Sequence, residues 1–540
     1  MARLRNARPA APRDVGMLVV ACVMLWGAEA WAQSAGASYT DLLASKLQTD
    51  PRNPPRFQKF DRQEVAQLGA PATFTPPASG AGATGFDSTN NRKARSKTKV
   101  KPSNDQLAIA PGVAAPATMS PYDKSIDLNG GMPTGTPGMP PAQLGPIRTF
   151  PKKRQAHTEP DDPYAPLGVP AGAFDLFPAV ELIGGYDSNP ERVPGGKGAW
   201  FSSVLPELRA QSNWSRHDLK VDLRGSYIGY SPDETPSLNR PYFNGKVDGR
   251  VDVTHETRID VGGRLLVSTD NPGSPNLQAG LAKLPIYVTG GGTLGLGERL
   301  NRFDLAIKGD VSRTIYQNST LTDGSTASND DRNYDQYGGI LRGSYELSPS
   351  LAPFVEVGAD TRIHDLNVDF SGYQRNSKGA TALAGAKFEF TRLLTGEAAF
   401  GYTQRVYEDP RLADISGLIG NVSLLWTAST LTNVKLTAAS SIGESTIPGV
   451  SGVLYRDVGL QVDHSFRRWL IGSLKLGFGN DNYVGLDRID NRYSAGVGLT
   501  YKLNRSVQIK GEFRQDWLHS TVPGVDYTAS VFMLGLRLQR

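Results

Sequence analysis

The side chains that could do chemistry are few and dispersed. The six histidines, His157, His217, His255, His364, His464 and His519, form no HExxH pair, and the chain has no Gly-x-Ser-x-Gly elbow. His364 with Asp365 and Asp369, and His519 beside Asp516 and Ser520, are the nearest approaches to a hydrolase constellation, but neighbouring polar residues in loops meet often by chance. Gly290-Gly291-Gly292-Thr293-Leu294-Gly295 formally fits the dinucleotide pattern GxGxxG. That pattern needs a following helix to receive the pyrophosphate, and here the chain continues as strand into Leu296. Asn329-Asp330-Asp331 and Asn480-Asp481-Asn482 lack the spacing and terminal glutamate of a calcium-binding EF-hand. Cys22 is the only cysteine, so thiolate chemistry past residue 32 is excluded. No enzyme, cofactor or metal is expected.

The organisation of the chain is more informative. Residues 1–32 carry a basic start, an apolar run from Val15 to Trp26, and Ala30-Trp31-Ala32 before Gln33, which reads as a secretory signal peptide. The run is too short for a membrane anchor, and it continues past Cys22, unlike a lipoprotein box. Residues 33–173 hold Pro-, Ala- and Gly-rich tracts, and 20 of the 37 prolines fall between Ser34 and Pro170. Such a stretch cannot bury enough apolar surface to fold, so a disordered arm is expected, with one short helix from Tyr39 to Gln48. The basic run Arg92 to Lys101 has no interleaved aromatics, and +5 over 540 residues is close to neutral. Neither feature argues for a nucleic-acid partner.

From residue 174 to 540 apolar and polar residues alternate at period two, the signature of strands. Leu219, Val221, Leu223 and Tyr227 stand against Lys220, Asp222, Arg224 and Ser226. Val247, Val251 and Val253 oppose Lys246, Asp248, Arg250 and Asp252; Phe303, Leu305, Ile307 and Val311 oppose Arg302, Asp304, Lys308 and Asp310. Val507, Ile509, Gly511, Phe513 and Trp517 oppose Gln508, Lys510, Glu512, Arg514 and Asp516. One face is apolar, the other charged with both signs.

The interruptions alternate in length. Tight turns are expected near 214–217, 255–258, 298–301, 348–350, 391–394, 429–433, 466–468 and 503–505. Long polar loops are expected near 188–198, 231–239, 270–283, 318–332, 365–376, 408–416, 444–453, 481–488 and 520–524. Eight turns and nine loops join eighteen strands whose two ends share the short-turn side, the arrangement of a closed antiparallel transmembrane β-barrel. Closure is required because lipid offers no partner to an unpaired strand edge. A soluble sandwich or propeller shares the alternation but not this rhythm. The expected membrane-interface aromatics are Trp200, Trp214, Tyr230, Tyr242, Tyr316, Tyr407, Trp426, Trp469, Tyr483, Trp517 and Tyr527, all near strand ends. The charged row Lys220, Asp222, Arg224, Lys246, Asp248, Arg250, Asp252, Asp304, Lys308, Asp310, Lys510, Glu512, Arg514 and Asp516 is expected to line a wet lumen too wide for side chains to fill. A non-conducting barrel that displays adhesive loops is the other expectation.

The opening strand, Val180-Glu181-Leu182-Ile183-Gly184-Gly185-Tyr186-Asp187-Ser188-Asn189-Pro190, placed after a Pro-rich exported leader, resembles the start of the outer-membrane β-barrel porin family of proteobacteria. The resemblance covers residues 174–540 and implies a porin-like channel in a Gram-negative outer membrane with the arm in the periplasm. It also implies outer-membrane lipid, lipopolysaccharide and the barrel assembly machinery as partners. Some members are associated with exopolysaccharide export, which implies periplasmic polysaccharide-export proteins as further partners. The last strand departs from outer-membrane barrels by ending at Arg540 rather than an aromatic residue.

Overall fold

The computed structural model describes residues 164–540 apart from 233, 234, 391 and 392. The signal segment, the arm as far as residue 163, the helix at Tyr39 to Gln48 and the basic run lie outside the described residues.

Eighteen antiparallel strands form the wall. They are β1 (Phe174–Asp187), β2 (Ala199–Ser212), β3 (Asp218–Ser231), β4 (Arg240–Asp252), β5 (Thr257–Thr269), β6 (Ile286–Leu300), β7 (Phe303–Tyr316), β8 (Tyr334–Tyr345) and β9 (Leu351–His364). They continue as β10 (Ser377–Phe390), β11 (Leu394–Tyr407), β12 (Ile415–Ser429), β13 (Thr432–Gly443), β14 (Gly452–Arg467), β15 (Leu470–Val484), β16 (Arg488–Lys502), β17 (Val507–Ser520) and β18 (Tyr527–Gln539). Each strand pairs with its sequence neighbours, and the sheet closes where β1 meets β18 from Ala179↔Gln539 to Asp187↔Val531. Below that seam Arg540 N donates to Pro178 O (3.1 Å), and the short strand Val169–Ala171 pairs with the first three residues of β1 through Val169↔Leu176 to Ala171↔Phe174.

Closure lets the alternation invert the usual core. Leu182, Leu294, Ile307, Phe400, Leu418 and Leu534 are exposed on the outer face, whereas Glu181, Asp490, Arg492 and Asp516 are fully buried on the inner one. Lipid is the only solvent in which that exposed apolar band is favourable.

The connections are numbered L1 to L9 on the long-loop rim: L1 188–198, L2 232–239, L3 270–285, L4 317–333, L5 365–376, L6 408–414, L7 444–451, L8 485–487 and L9 521–526. Eight of these sit where the composition places them. L8 does not: the expected loop at 481–488 is a three-residue turn. Asn480-Asp481-Asn482 continues β15, because Asp481 faces inward and pairs with Arg492 at 2.7 Å. On an inward row a carboxylate is a strand residue, so polarity alone does not mark a loop here.

Candidate functional site: the lumen and its long-loop mouth

The inner wall is a lattice of ion pairs of two kinds. Some run along one strand, where residues two apart share a face. Asp218–Lys220 (3.3 Å), Asp222–Arg224 (2.8 Å), Lys246–Asp248 (3.6 Å), Arg250–Asp252 (2.6 Å) and Arg514–Asp516 (2.9 Å) are of this kind. Others cross strands: Asp304 with Arg258 (3.2 Å), Asp310 with Arg264 (3.8 Å), Lys510 with Glu181 (2.9 Å) and Glu512 with Lys475 (2.8 Å). Asp516 also reaches Arg192 of L1 at 3.6 Å. Lys308 faces the same side, half-buried and without an ion pair to a described residue.

Several inward charges were not singled out from the sequence. Arg537 binds Glu207 at 2.9 Å, Arg342 bridges Glu356 (3.4 Å) and Glu397 (2.8 Å), and Arg492 joins Asp457 and Asp481, each at 2.7 Å. The signal that would have found them is the same parity count, extended to every strand.

The interface aromatics divide by that parity. Trp200, Trp214, Trp426 and Trp469 are exposed, and Trp517 shares the outward row of Ile509 and Phe513. Outward rings meet in pairs such as Tyr186–Trp200 (5.2 Å) and Trp469–Tyr501 (5.1 Å). Tyr230, Tyr242, Tyr316, Tyr407, Tyr483 and Tyr527 face inward and are buried, so they do not belong to an outward girdle. Tyr230 stands in register with Lys220, Asp222 and Arg224, not with Leu223, and nearness to a strand end does not reveal that.

These tyrosines receive the loops, which are less polar than their composition suggests. Ile183, Phe201, Leu205, Ile228, Tyr230, Val531 and Met533 form an apolar patch on the inner wall, on which Leu238 of L2 and Leu277 and Leu284 of L3 pack. L3 is tied at its base by Asp270–Arg332 (2.8 Å), by Ser237 N donating to Ala282 O (2.8 Å), and by Ala282 N donating to Thr320 O (2.8 Å). Ile447 and Val450 of L7 pack on Val453, Tyr455 and Tyr483. Arg375 of L5 donates to Val450 O at 2.9 Å, while Arg362 of β9 donates to Ile442 O at 3.0 Å and pairs with Glu444.

L3 and L7 meet. Asn276 Oδ1 accepts from Ser445 Oγ (3.1 Å), Thr446 N (3.1 Å) and Thr446 Oγ1 (3.4 Å), and Asn276 O accepts from Thr446 Oγ1 (3.2 Å). Counting round the wall, β6 and β13 are seven strands apart one way, and β14 and β5 nine apart the other. The loops therefore reach each other from nearly opposite walls, across a barrel roughly 35 Å wide at the backbone for eighteen tilted strands.

The catalytic candidates are not assembled. His364 is buried against Tyr334 (ring centroids 5.3 Å), Asp365 pairs with Arg313, and Asp369 pairs with Arg375. His519 lies outside at 3.1 Å from Asp526, whereas Asp516 is inside with Arg514. The Gly290–Gly295 segment is interior to β6. Among the described residues no group of three or more His, Cys, Asp or Glu could hold a metal ion.

Burial works against ionisation of Glu444, yet Arg362, His364 and Arg405 outweigh it and hold its carboxyl below the usual value. A depressed carboxylate contributes attachment that is complete above the ordinary glutamate value of about 4.3 and is lost as pH falls through its own lower one. L7 should thus stay docked from pH 8 to about 5 and loosen only in stronger acid. Arg362, Arg375, Arg405, His364, Tyr334 and Tyr407 are the neighbouring groups. Proteolysis of L7 against pH checks this, and Glu444→Gln should loosen L7 at neutral pH; protection unchanged by either would refute it.

A sheet closed on itself, apolar outside and ion-paired inside, with its loops gathered at one mouth, defines a transmembrane barrel of the porin class. The chain belongs to the family described as "Putative beta-barrel porin 2", whose model matches residues 162–540. Its fold is similar to the outer membrane protein OpdK of Pseudomonas aeruginosa (12% identity, 68% of this chain and 99% of that chain, TM-score 0.34). It is also similar to OccK9 (OpdG) of Pseudomonas aeruginosa (14%, 68% and 99%, TM-score 0.36) and OccAB3 of Acinetobacter baumannii (11%, 68% and 99%, TM-score 0.29). No curated protein matches the chain.

Proposed function

We propose that the barrel is a water-filled diffusion channel for polar solutes across a Gram-negative outer membrane, with the long loops at the cell surface and the short turns and N-terminal arm in the periplasm. The observation that carries this reading is the closed wall with a charged inner face. Eighteen strands enclose more space than their inward side chains fill. Lys220, Asp222, Arg224, Lys246, Asp248, Asp252, Asp304, Lys308, Lys510 and Glu512 would line the water path, whereas Arg250, Asp310, Arg514 and Asp516 face the same side but are themselves buried. Charges of both signs, mostly paired, favour weak ion selectivity.

Refolded protein should raise the conductance of a planar bilayer and show a reversal potential near zero in a KCl gradient. Folded, inserted protein that leaves the membrane sealed would refute an open channel. Lipopolysaccharide around the apolar band and the barrel assembly machinery are the partners this location requires.

The resemblance of the first strand extends the reading to a conduit for an exopolysaccharide supplied by periplasmic export proteins. A polymer could pass only if L3 and L7 leave the mouth, and loss of surface polysaccharide on deleting the gene tests this. The meeting of those loops favours a second reading, a non-conducting barrel that anchors the envelope or displays its loops. Bilayers that stay sealed even after deletion of residues 33–172 would support it.

A further inference from the structure

One seam of the wall is open at its upper end. The β12–β13 ladder stops at Val422↔Ala438, although β11–β12 continues to Arg405↔Ile415 and β13–β14 to Gly443↔Val453. The tip of the β13–β14 hairpin has parted from β12 and turned inward, while β14 stays paired with β15 up to Gly452↔Val484. By alternation Ile442 and Leu454 belong to the outward row of Val458, yet they are buried with Tyr407 and Ile415 of the inner face of β11 and β12. Two glycines make room for this overlap. A Cβ at Gly417 would lie 3.0 Å from Leu454 Cδ2, and one at Gly452 would lie 2.6 Å from Gly443 O and 2.9 Å from Ile415 Cδ1. The outer face of the hairpin thus rests against the inner face of its neighbours.

Side chains occupy the vacated seam. Gly420 N donates to Ser440 Oγ (3.1 Å), Ser440 Oγ donates to Gly420 O (3.4 Å), and Arg456 Nε donates to Leu418 O (3.2 Å). Continuing the existing register would instead pair Gly420 with Ser440 and Leu418 with Ile442 by backbone. It would also set Ile442 and Leu454 beside Leu418, already the most exposed of the large outward side chains at 73%. The same segment therefore has two consistent places. Tucked in, it has the Asn276, Arg362 and Arg375 contacts; swung out, it completes a backbone ladder and exposes an apolar row to lipid or its interface.

We propose that the β13–L7–β14 tip is a hinged gate, turning about Val422 and Ala438, that spans the mouth with L3 when tucked and opens it when it joins β12. The proposal rests on the channel reading and supplies the moving part. Two cysteine pairs in the full chain trap the two positions. Asn276→Cys with Ser445→Cys joins side chains that touch in the tucked form; Leu418→Cys with Ile442→Cys joins positions that become cross-strand neighbours only when the tip swings out. Heat-modifiable electrophoretic mobility shows that each variant is folded.

Oxidation of the first pair should lower single-channel conductance relative to its reduced form, and oxidation of the second should raise it, each by roughly twofold or more. Gly452→Val, which crowds Ile415, should shift the channel the same way as the second pair without any cross-link. Equal conductance of oxidised and reduced forms in both pairs, with wild type conducting, would overturn the gate and leave the channel standing. If wild type and every folded variant stay sealed, the channel reading fails and the gate with it.

Discussion

Replacing Arg492 by leucine should destabilise the folded barrel by about 3–5 kcal/mol, the usual cost of removing one partner from a buried ion pair. Arg492 is fully buried and bridges Asp457 of β14 and Asp481 of β15 from β16, so its loss leaves two carboxylates facing each other, Asp481 almost without solvent. The loss comes less from a missing attraction than from an uncompensated charge. Asp481→Asn in the Arg492→Leu background should therefore recover a large part of the stability. Denaturant unfolding in lipid vesicles, followed by tryptophan fluorescence, reads both effects. An unchanged midpoint for the single variant would mean that water reaches this site and screens it.

Leu294→Arg should cost about 2–4 kcal/mol of folding into a bilayer, as for a cation near the midplane on a barrel's lipid face. Thr293→Arg, one residue earlier in β6, should change stability little. The two positions share a strand and differ only in the face they present. Leu294 is exposed on the apolar band, whereas Thr293 points inward and pairs in register with Asp310, a carboxylate able to receive the new cation. Folding titrations into phospholipid vesicles would measure the difference. Equal costs at the two positions would contradict the assignment of the faces and, with it, the membrane orientation of the entire wall.

The residues legible in advance are those whose placement depends only on neighbours in the chain. Lys220, Asp222 and Arg224 fall on one face because successive residues of a strand point to opposite sides, and pairs such as Asp222–Arg224 form two residues apart. The break at 188–198 is visible because Ser188, Asn189 and Pro190 open a polar run that ends the alternation. Where the reading of the aromatics failed, the information was present but read by distance from a strand end rather than by parity. Tyr230, Tyr242 and Tyr483 share the parity of the charged row and are buried on its face.

The mouth is another matter. Asn276 and Thr446 lie 170 residues apart, and nothing local marks either as a contact. Leu277, Ile447 and Val450 lie in stretches whose composition marks them only as polar loops, and Leu284 just beyond one, because a hydrophobic residue states only that it will leave water. Which surface receives it depends on what closure brings within reach, here an apolar patch inside the wall. The open seam beside β12 is likewise not written locally: Ser440 and Arg456 interrupt the apolar outward row of Ile442, Leu454 and Val458, but nothing near them in the chain says that they will bond to Gly420 and Leu418. The sequence by itself determined the strands, their count, their faces and most of their breaks, since period and turn chemistry are encoded residue by residue. Only the tertiary structure decided which charges meet across strands, which loops fold inward and where the hairpin tip rests, because those choices are made between segments that become neighbours only once the circle has closed.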